Sequence, residues 1–329
     1  MLTVLLTAPY MLPYINRFSP VFEHYGFKLI VPDVNERLGE DDLLRFAGQF
    51  DGTICGDDRY SPQVIDQCIP RLKVISKWGT GIDSIDKDYA GTKDVAVMNT
   101  PNAFTLPVAD SVMGYILAFA RRQPWMDNDI KSGKWEKIPG RSLSECILGV
   151  IGVGNIGKAV LRRARGFGMT LIGNDIVPIA PDFLIENEVQ MTDLETLMQR
   201  SDFVSVNCTL NPTSLHLINE ESLEWMKADA VLINTARGPI VDEQALIAIL
   251  QHQKIAGAAL DVFEVEPLPD SSPLKKMGNV MLAPHNSNSS PVAWERVHWN
   301  TIRNLLIGLK IPVDNFDEVK SKYQNEVSQ

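Results

Sequence analysis

Apolar residues in this chain come in short runs, and the stretches between the runs are amphipathic. A strand buried on both faces reads as a short continuous apolar run, and a covering helix as an apolar stripe of period 3.6. The first hundred residues predict strands at Leu2–Leu6, 28–31, Gly52–Cys55 and 72–76. Helices are expected at 14–25 and 41–47, with a short one between the last two strands. Alternation of this kind implies a parallel sheet covered on both faces. The stretch TLPVADSVMGYILAFARR, residues 105–122, is apolar almost all round from Val108 to Ala120 and carries its basic residues in the last turn. Such a helix is buried, either as a core helix linking domains or in a dimer interface. A second alternating series predicts six strands: Ile147–Ile151, Thr170–Asn174, 203–207, 230–234, 256–260 and Val280–Leu282. That series describes a doubly wound sheet. VAWERVHWNTIRNLLIGL then reads as one long helix returning to the first domain, and the polar tail from Ser321 is expected to fray. There is no internal repeat and no low-complexity tract.

The glycines of LGVIGVGNIGKAV give this second series a chemistry. Gly152, Gly154 and Gly157 follow a predicted strand and open a predicted helix in G-x-G-x-x-G spacing. In that context Gly152 serves the tight turn, Gly154 a close approach of pyrophosphate to backbone, and Gly157 close packing of helix on sheet. The helix N-terminus offers amide donors to the phosphates. Asp175 ends the next strand, 18 residues beyond Gly157. A carboxylate there accepts ribose hydroxyls and repels a 2′-phosphate, so the cofactor is read as NAD rather than NADP. The alternative is a nucleotide-free α/β domain with a glycine-rich turn.

Ligands of an open α/β sheet lie beyond the carboxyl ends of its strands. After residue 234 comes TARG, with Arg237. After residue 260 comes DVFEVEP, with Asp261, Glu264 and Glu266. After Leu282 comes APHN, with His285. The other histidines stand elsewhere: His24, His252 and His298 in helical patterns, His216 after a polar loop. Removal of a hydride from a secondary alcohol also requires removal of its hydroxyl proton, a task suited to an imidazole. A neighbouring carboxylate, Glu266, favours the imidazolium and orients it. Arg237 can grip a substrate carboxylate with two parallel hydrogen bonds and polarise the adjoining carbonyl. Each residue alone fits a surface ion pair as well; the shared edge is what favours a joint role.

Composition narrows the rest. The chain has 329 residues, 45% hydrophobic and 22% charged, which suits a globular protein of two domains. A net charge of −10 argues against nucleic acid and anionic membranes as partners, and it means that an anionic substrate needs a local basic pocket. Cys55, Cys68, Cys146 and Cys208 form no metal-binding or disulfide spacing, so a reduced, cytoplasmic protein without a metal is expected. MLTVLLTAPYML lacks a basic leader and is read as a first strand rather than a signal peptide. No apolar run approaches the roughly 20 residues of a membrane span.

With these residues in place, the sequence resembles the D-isomer-specific 2-hydroxyacid dehydrogenases over nearly its whole length. GVIGVGNIG, NTARGPIVDEQAL, GAALDVFEVEP and the strand ending in PH carry the resemblance most specifically. It implies a flavodoxin-like α/β substrate domain, residues 1–100 and 294–329, interrupted by a Rossmann cofactor domain at 101–293, with a cleft between them. It implies catalytic roles for Arg237, Glu266 and His285, and adenosine-ribose binding by Asp175. Asn155 and Ile156 match residues over the pyrophosphate. Thr235, Ala236 and Asp261 match positions on the nicotinamide side, and Cys208 is counted among the cofactor-binding positions. It further implies a homodimer built around the region that includes residues 105–122.

KWGTGIDSID matches the family's substrate loop. Gly79, Thr80 and Gly81 would offer backbone amides to a carboxylate; Lys77 and Trp78 precede them. The loop and the long helix look most like phosphoglycerate dehydrogenases, with Lys77, Arg59 and Lys137 or Arg141 of a partner subunit as candidates to hold a phosphate. The expected substrate is therefore a small 2-hydroxy or 2-oxo acid, first the 3-phosphoglycerate/phosphohydroxypyruvate pair. The alternatives are glyoxylate, hydroxypyruvate or D-lactate. A different class, an NAD-linked corepressor-like binding protein, would need a peptide groove in the first domain. The chain departs from the family at Asn286, Ser287, Asn288 and Ser289, where glycines are frequent, and at Thr209, where proline is frequent.

Overall fold

The computed structural model describes residues 1–325 and divides the chain into two compact units, Met1–Phe104 with Ser290–Gln329, and Thr105–Ser289. These divisions lie four residues from each boundary expected from the sequence.

The first unit holds five parallel strands: β1 (Leu2–Leu6), β2 (Phe27–Ile30), β3 (Gly52–Cys55), β4 (Val74–Lys77) and β5 (Ala96–Met98). They lie in the order β2-β1-β3-β4-β5, the flavodoxin-like order. β3 and β4 are buried throughout, as central parallel strands require. β5 and the helix before it, Lys87–Thr92, do not declare themselves in the sequence; β5 is a short, half-buried edge strand with no long apolar run to announce it. The strand expected at 72–76 begins and ends later; Leu72 still bonds back to Cys68, and Lys73 bonds across to Asp51 just ahead of the first β3–β4 pair. Lys77 thus becomes the last residue of β4 instead of the first of the loop. The predicted helix at 14–25 is Ile15–His24, preceded by a single 3₁₀ turn, and that at 41–47 is Glu40–Leu44.

The returning helix, Pro291–Gly308, belongs to this unit. Ser290 caps it, accepting from Ala293 N at 3.3 Å, and Pro291 occupies the first turn, where a missing N–H costs nothing. It packs on the sheet through Ser76 Oγ, which donates to Thr301 O at 2.8 Å, and Asn304, which donates to Asn99 O at 2.9 Å. A further helix, Phe316–Asn325, contains the start of the tail expected to fray; the rest of that tail lies outside the described residues.

The second unit holds β6 (Ile147–Ile151), β7 (Thr170–Asn174), β8 (Val189–Met191), β9 (Phe203–Val206), β10 (Val231–Asn234), β11 (Gly257–Leu260) and β12 (Val280–Leu282). All pair in parallel in the order β12-β11-β10-β9-β6-β7-β8. The order reverses between β6 and β9, the switch point at which doubly wound sheets bind dinucleotides. One apolar layer includes Val112, Ile116, Val160 and Leu171; the other includes Leu197, Leu223, Leu246 and Leu250. The sequence reading missed β8, a three-residue edge strand. The long apolar helix is Thr105–Ala120 and lies in the first of these layers. In the single chain Leu106, Asp110 and Gly114, spaced four apart, are exposed, and Asp110 accepts from Arg163 Nε at 2.6 Å. Among the described residues no helix is long and apolar enough to cross a membrane.

His298 lies on the returning helix, 2% exposed, with Nδ1 accepting from the Trp78 indole at 2.9 Å. That bond requires an unprotonated Nδ1, and burial lowers its pKa to about 4. The unfolded histidine takes up a proton near pH 6.5 and the folded one does not, so this group withdraws stability as pH falls from about 6.5 to about 4. The loss amounts to about 3 kcal/mol at most. His298→Gln removes the titration while other groups stay common to both proteins. The destabilisation it causes should therefore shrink across that window, as read by denaturant titrations of both proteins at pH 7 and pH 4.5. A gap independent of pH would contradict the assignment.

Candidate functional site

The glycine turn leaves β6 at Gly152, whose φ of +88° favours a residue without Cβ. A Cβ there would also lie 2.4 Å from the Cys208 amide nitrogen. Gly157 packs its helix, Asn155–Gly166, against the turn: a Cβ would stand 2.1 Å from Gly152 O. Gly154 differs, with open space where its Cβ would be. Gly152 thus stands at a tight turn, Gly157 at a close packing contact, and Gly154 beside open space. Asn155 and Ile156 form the first turn of the helix. Asp175 stands just past β7 and ties the turn down: Oδ2 accepts from Val153 N at 2.7 Å and Oδ1 from Val177 N at 2.9 Å. Each oxygen retains a lone pair for a ribose hydroxyl. Cys208 packs beneath Gly152; burial pushes its thiol up to about 11, so it is neutral at physiological pH.

Three further strand ends surround the chemistry. After β10, Asn234 shapes the turn by donating to Arg237 O at 2.9 Å and accepting from Ala236 N at 3.1 Å. Arg237 Nη1 donates to Ala236 O at 2.8 Å. After β11, the buried Asp261 donates its amide to Asn234 O at 3.0 Å. Its carbonyl accepts from His285 N at 2.8 Å, and its carboxylate accepts from Asn286 N at 2.7 Å and Ser287 N at 2.9 Å. After β12, His285 adopts φ +50°, a left-handed conformation of the kind that gathers at functional sites. Glu266 Oε2 lies 3.0 Å from His285 Nδ1, while Oε1 accepts from Phe263 N at 2.9 Å. Both side chains are about one-fifth exposed, open enough to reach a ligand.

The acidic run thus separates by role. Glu264 turns away to His216 Nε2 at 2.8 Å, and Asp261 secures backbone. Among the three, Glu266 is the one against His285. The positions where glycines are frequent use their amides in the same way: Asn286 and Ser287 donate to Asp261, and Ser289 N donates to Asn286 O. Sequence reasoning missed two contributors. Ser111, on the long helix, donates to Ser287 O at 3.3 Å. Gly238 allows the closest approach: a Cβ there would fall 1.9 Å from Phe263 C and O. The signal was the glycine directly after Arg237 in TARGP.

A dinucleotide suits these residues. The turn has an open face at Gly154, and a carboxylate waits at the end of β7. The Thr235 hydroxyl and Asn207 Oδ1 are buried without hydrogen-bond partners. No group of three or more His, Cys, Asp or Glu side chains among the described residues is placed to hold a metal ion.

In the first unit, the loop after β4 keeps its carbonyls occupied. Gly79 O accepts from Thr100 N at 2.8 Å and Thr80 O from Asn99 Nδ2 at 2.5 Å. The amides of Gly79, Thr80 and Gly81 are engaged by none of the described residues. Trp78 is fixed by His298 and packs among Tyr10, Phe104 and Trp294, at ring separations of 5.0, 5.6 and 6.0 Å. The cations meet carboxylates: Lys77 Nζ lies 3.1 Å from Asp57, Arg59 Nε 3.7 Å from Glu40, and Arg141, in the second unit, 3.1 Å from Asp202.

Fold, glycine turn and strand-exit side chains together define a dinucleotide-dependent oxidoreductase. Residues 113–287 match the family described as D-isomer specific 2-hydroxyacid dehydrogenase, NAD binding domain. The chain is 40% identical over 277 residues to a glyoxylate reductase of Thermofilum pendens, spanning 82% of this chain and 81% of that one. It is 40% identical over 265 residues to a D-3-phosphoglycerate dehydrogenase of Methanocaldococcus jannaschii, spanning 79% of this chain and half of that protein. Among solved structures it is similar to D-lactate dehydrogenase from Aquifex aeolicus complexed with NAD and lactic acid. That match has a TM-score of 0.81 and 26% identity, covering 94% and 95% of the two chains. The chain belongs to the D-isomer-specific 2-hydroxyacid dehydrogenase family, and it is an NAD-dependent dehydrogenase acting on a CH–OH donor.

Two outcomes follow from this geometry. Gly238→Ala forces the Arg237 turn away from the backbone that carries Glu266, at a cost of about 3 kcal/mol or more, and should lower both melting temperature and turnover. An unchanged melting temperature would mean that the two loops separate freely. Asp175→Ala should narrow the preference for NADH over NADPH by about tenfold, measured as a ratio of kcat/KM values, because the 2′-phosphate no longer meets a carboxylate. An unaltered ratio would assign ribose recognition elsewhere.

Proposed function

We propose that this protein reduces a small, unphosphorylated 2-oxo acid of the glyoxylate or hydroxypyruvate class to the D-2-hydroxy acid. The observation that carries the reading is the pairing of the cation beside the substrate loop: Lys77 faces Asp57, and Arg59, after β3, lies 3.7 Å from Glu40. A dianionic phosphate needs net positive charge, whereas a carboxylate is served by amide dipoles, which the loop at Gly79, Thr80 and Gly81 offers. The glyoxylate reductase relative agrees with this choice. The phosphorylated pair 3-phosphoglycerate/phosphohydroxypyruvate is the second reading, favoured by the phosphoglycerate dehydrogenase relative.

Bound NADH supplies the hydride. His285 gives a proton to the carbonyl oxygen as the alcohol forms and takes it back in the reverse direction. Glu266 holds the His285 ring by its Nδ1, so that Nε2 is the nitrogen presented to substrate. Arg237 grips the carboxylate and polarises the carbonyl. Residues 1–100 and 294–329 act as the substrate domain and 101–293 as the cofactor domain. A cytoplasmic homodimer completes the proposal.

The test is NADH oxidation against glyoxylate, hydroxypyruvate, pyruvate and phosphohydroxypyruvate, for the native protein and His285→Ala. The native protein should prefer an unphosphorylated acid. The variant should lose about 10²–10⁴-fold in kcat while its NADH affinity, followed by fluorescence, is retained. Preference for the phosphorylated acid would install the second reading, and undiminished turnover in the variant would remove His285 from proton transfer.

A further inference from the structure

The ion pair at the end of β4 bears on which acids are accepted. Lys77 is buried, its side chain 5% exposed. Its ammonium donates to Trp78 O at 3.0 Å and faces Asp57 Oδ1 at 3.1 Å. A Cβ on Gly79 would stand 3.6 Å from the same nitrogen, so the ammonium lies against the loop that offers its amides. Asp58 follows in the chain, fully buried, accepting from Leu38 N at 2.6 Å and from the Thr7 hydroxyl. Burial pushes its carboxyl up to about 6, which still leaves it mostly ionised at neutral pH. Arg59 faces Glu40. Around the end of β4, two cations are therefore set against three carboxylates, in a chain whose net charge is already −10.

We propose that Asp57 is a specificity-determining residue: by neutralising Lys77 beside the amide loop, it admits a monoanionic 2-oxo acid and disfavours one carrying a second anionic group, such as a phosphate ester. The proposal rests on the substrate class argued above and adds the residue that enforces it. At the loop, a single carboxylate can be held by neutral N–H dipoles without an added cation there. A second, doubly charged group would have to approach an ammonium whose field Asp57 already cancels. It would also meet the Asp57 carboxylate, part of which is open to solvent and able to repel it. Asparagine at position 57 keeps the shape, removes the charge and leaves Lys77, still anchored on Trp78 O, with its direct carboxylate partner gone and only Asp58 acting on it from nearby.

The experiment compares kcat/KM with NADH for hydroxypyruvate and phosphohydroxypyruvate in the native protein, Asp57→Asn, and Asp57→Asn with Lys77→Gln. Circular dichroism of all three serves as the folding control. Asp57→Asn should raise the ratio of phosphorylated to unphosphorylated kcat/KM by about tenfold or more at low salt, with a smaller rise at high salt. The added Lys77→Gln should abolish the gain, since the effect runs through that ammonium. An Asp57→Asn ratio equal to the native one, with hydroxypyruvate still turned over, would overturn the role of Asp57 alone. A gain that persists without Lys77 would overturn that role equally. A native protein that already prefers phosphohydroxypyruvate, or turns over neither acid, would overturn the substrate class and the inference with it.

Discussion

Asp261 is the constraint on which the second unit's chemistry depends. Its amide bonds the strand end that leads to Arg237, its carbonyl takes the His285 amide, and its two carboxylate oxygens hold Asn286 and Ser287. One buried residue, through its backbone and its side chain, thus ties together the ends of three adjacent parallel strands. A carboxylate in that position is stable because amide donors replace the water it has lost. Its demand for two successive N–H groups also bends the chain at His285 into the left-handed region. The imidazole is placed beside Glu266 by this backbone bonding and held there through Nδ1.

Much of this could be read from the sequence, because strand exits in a parallel sheet share one edge. Once the apolar runs were placed, Arg237, Glu266 and His285 had to leave the same side as the glycine turn. The glycines themselves were legible because three separate steric demands fall at fixed offsets. What stayed hidden was whatever depends on partners distant in sequence. Nothing local to Gly238 shows that Phe263 backbone will press against it. Nothing in DVFEVEP says that Glu264 will turn to His216 while Glu266 turns to His285. The edge strands β5 and β8 escaped because three residues are too few for a period to declare itself.

The substrate loop shows the same limit in its electrostatics. KWGTGID places a lysine beside small residues, and charge alone suggests an anion pocket. In the folded unit β3 and β4 are neighbours, with Cys55 opposite Lys77, so the residues that follow β3 arrive beside the lysine. Asp57 is close because of sheet register, which composition cannot reveal. A small shift mattered here: Lys77 ends the strand, so its side chain is drawn into the buried layer and not presented on a loop.

These two arrangements express one principle in opposite senses. In the second unit, a buried anion is surrounded by amides and fixes a reactive group. In the first, loop amides stand unengaged by the described residues while the nearby cation is paired with Asp57. Dipoles hold one negative charge well, and they do so without attracting a second across solvent, because a dipole's field falls off faster than that of a net charge. On the proposed reading, a chain of net charge −10 gains discrimination among small acids because the cation beside the loop is already paired. Selection by charge number, on the same proposed reading, rests on the Asp57 carboxylate, and the proton-transfer machinery of the other unit can stay unchanged as substrate preference varies.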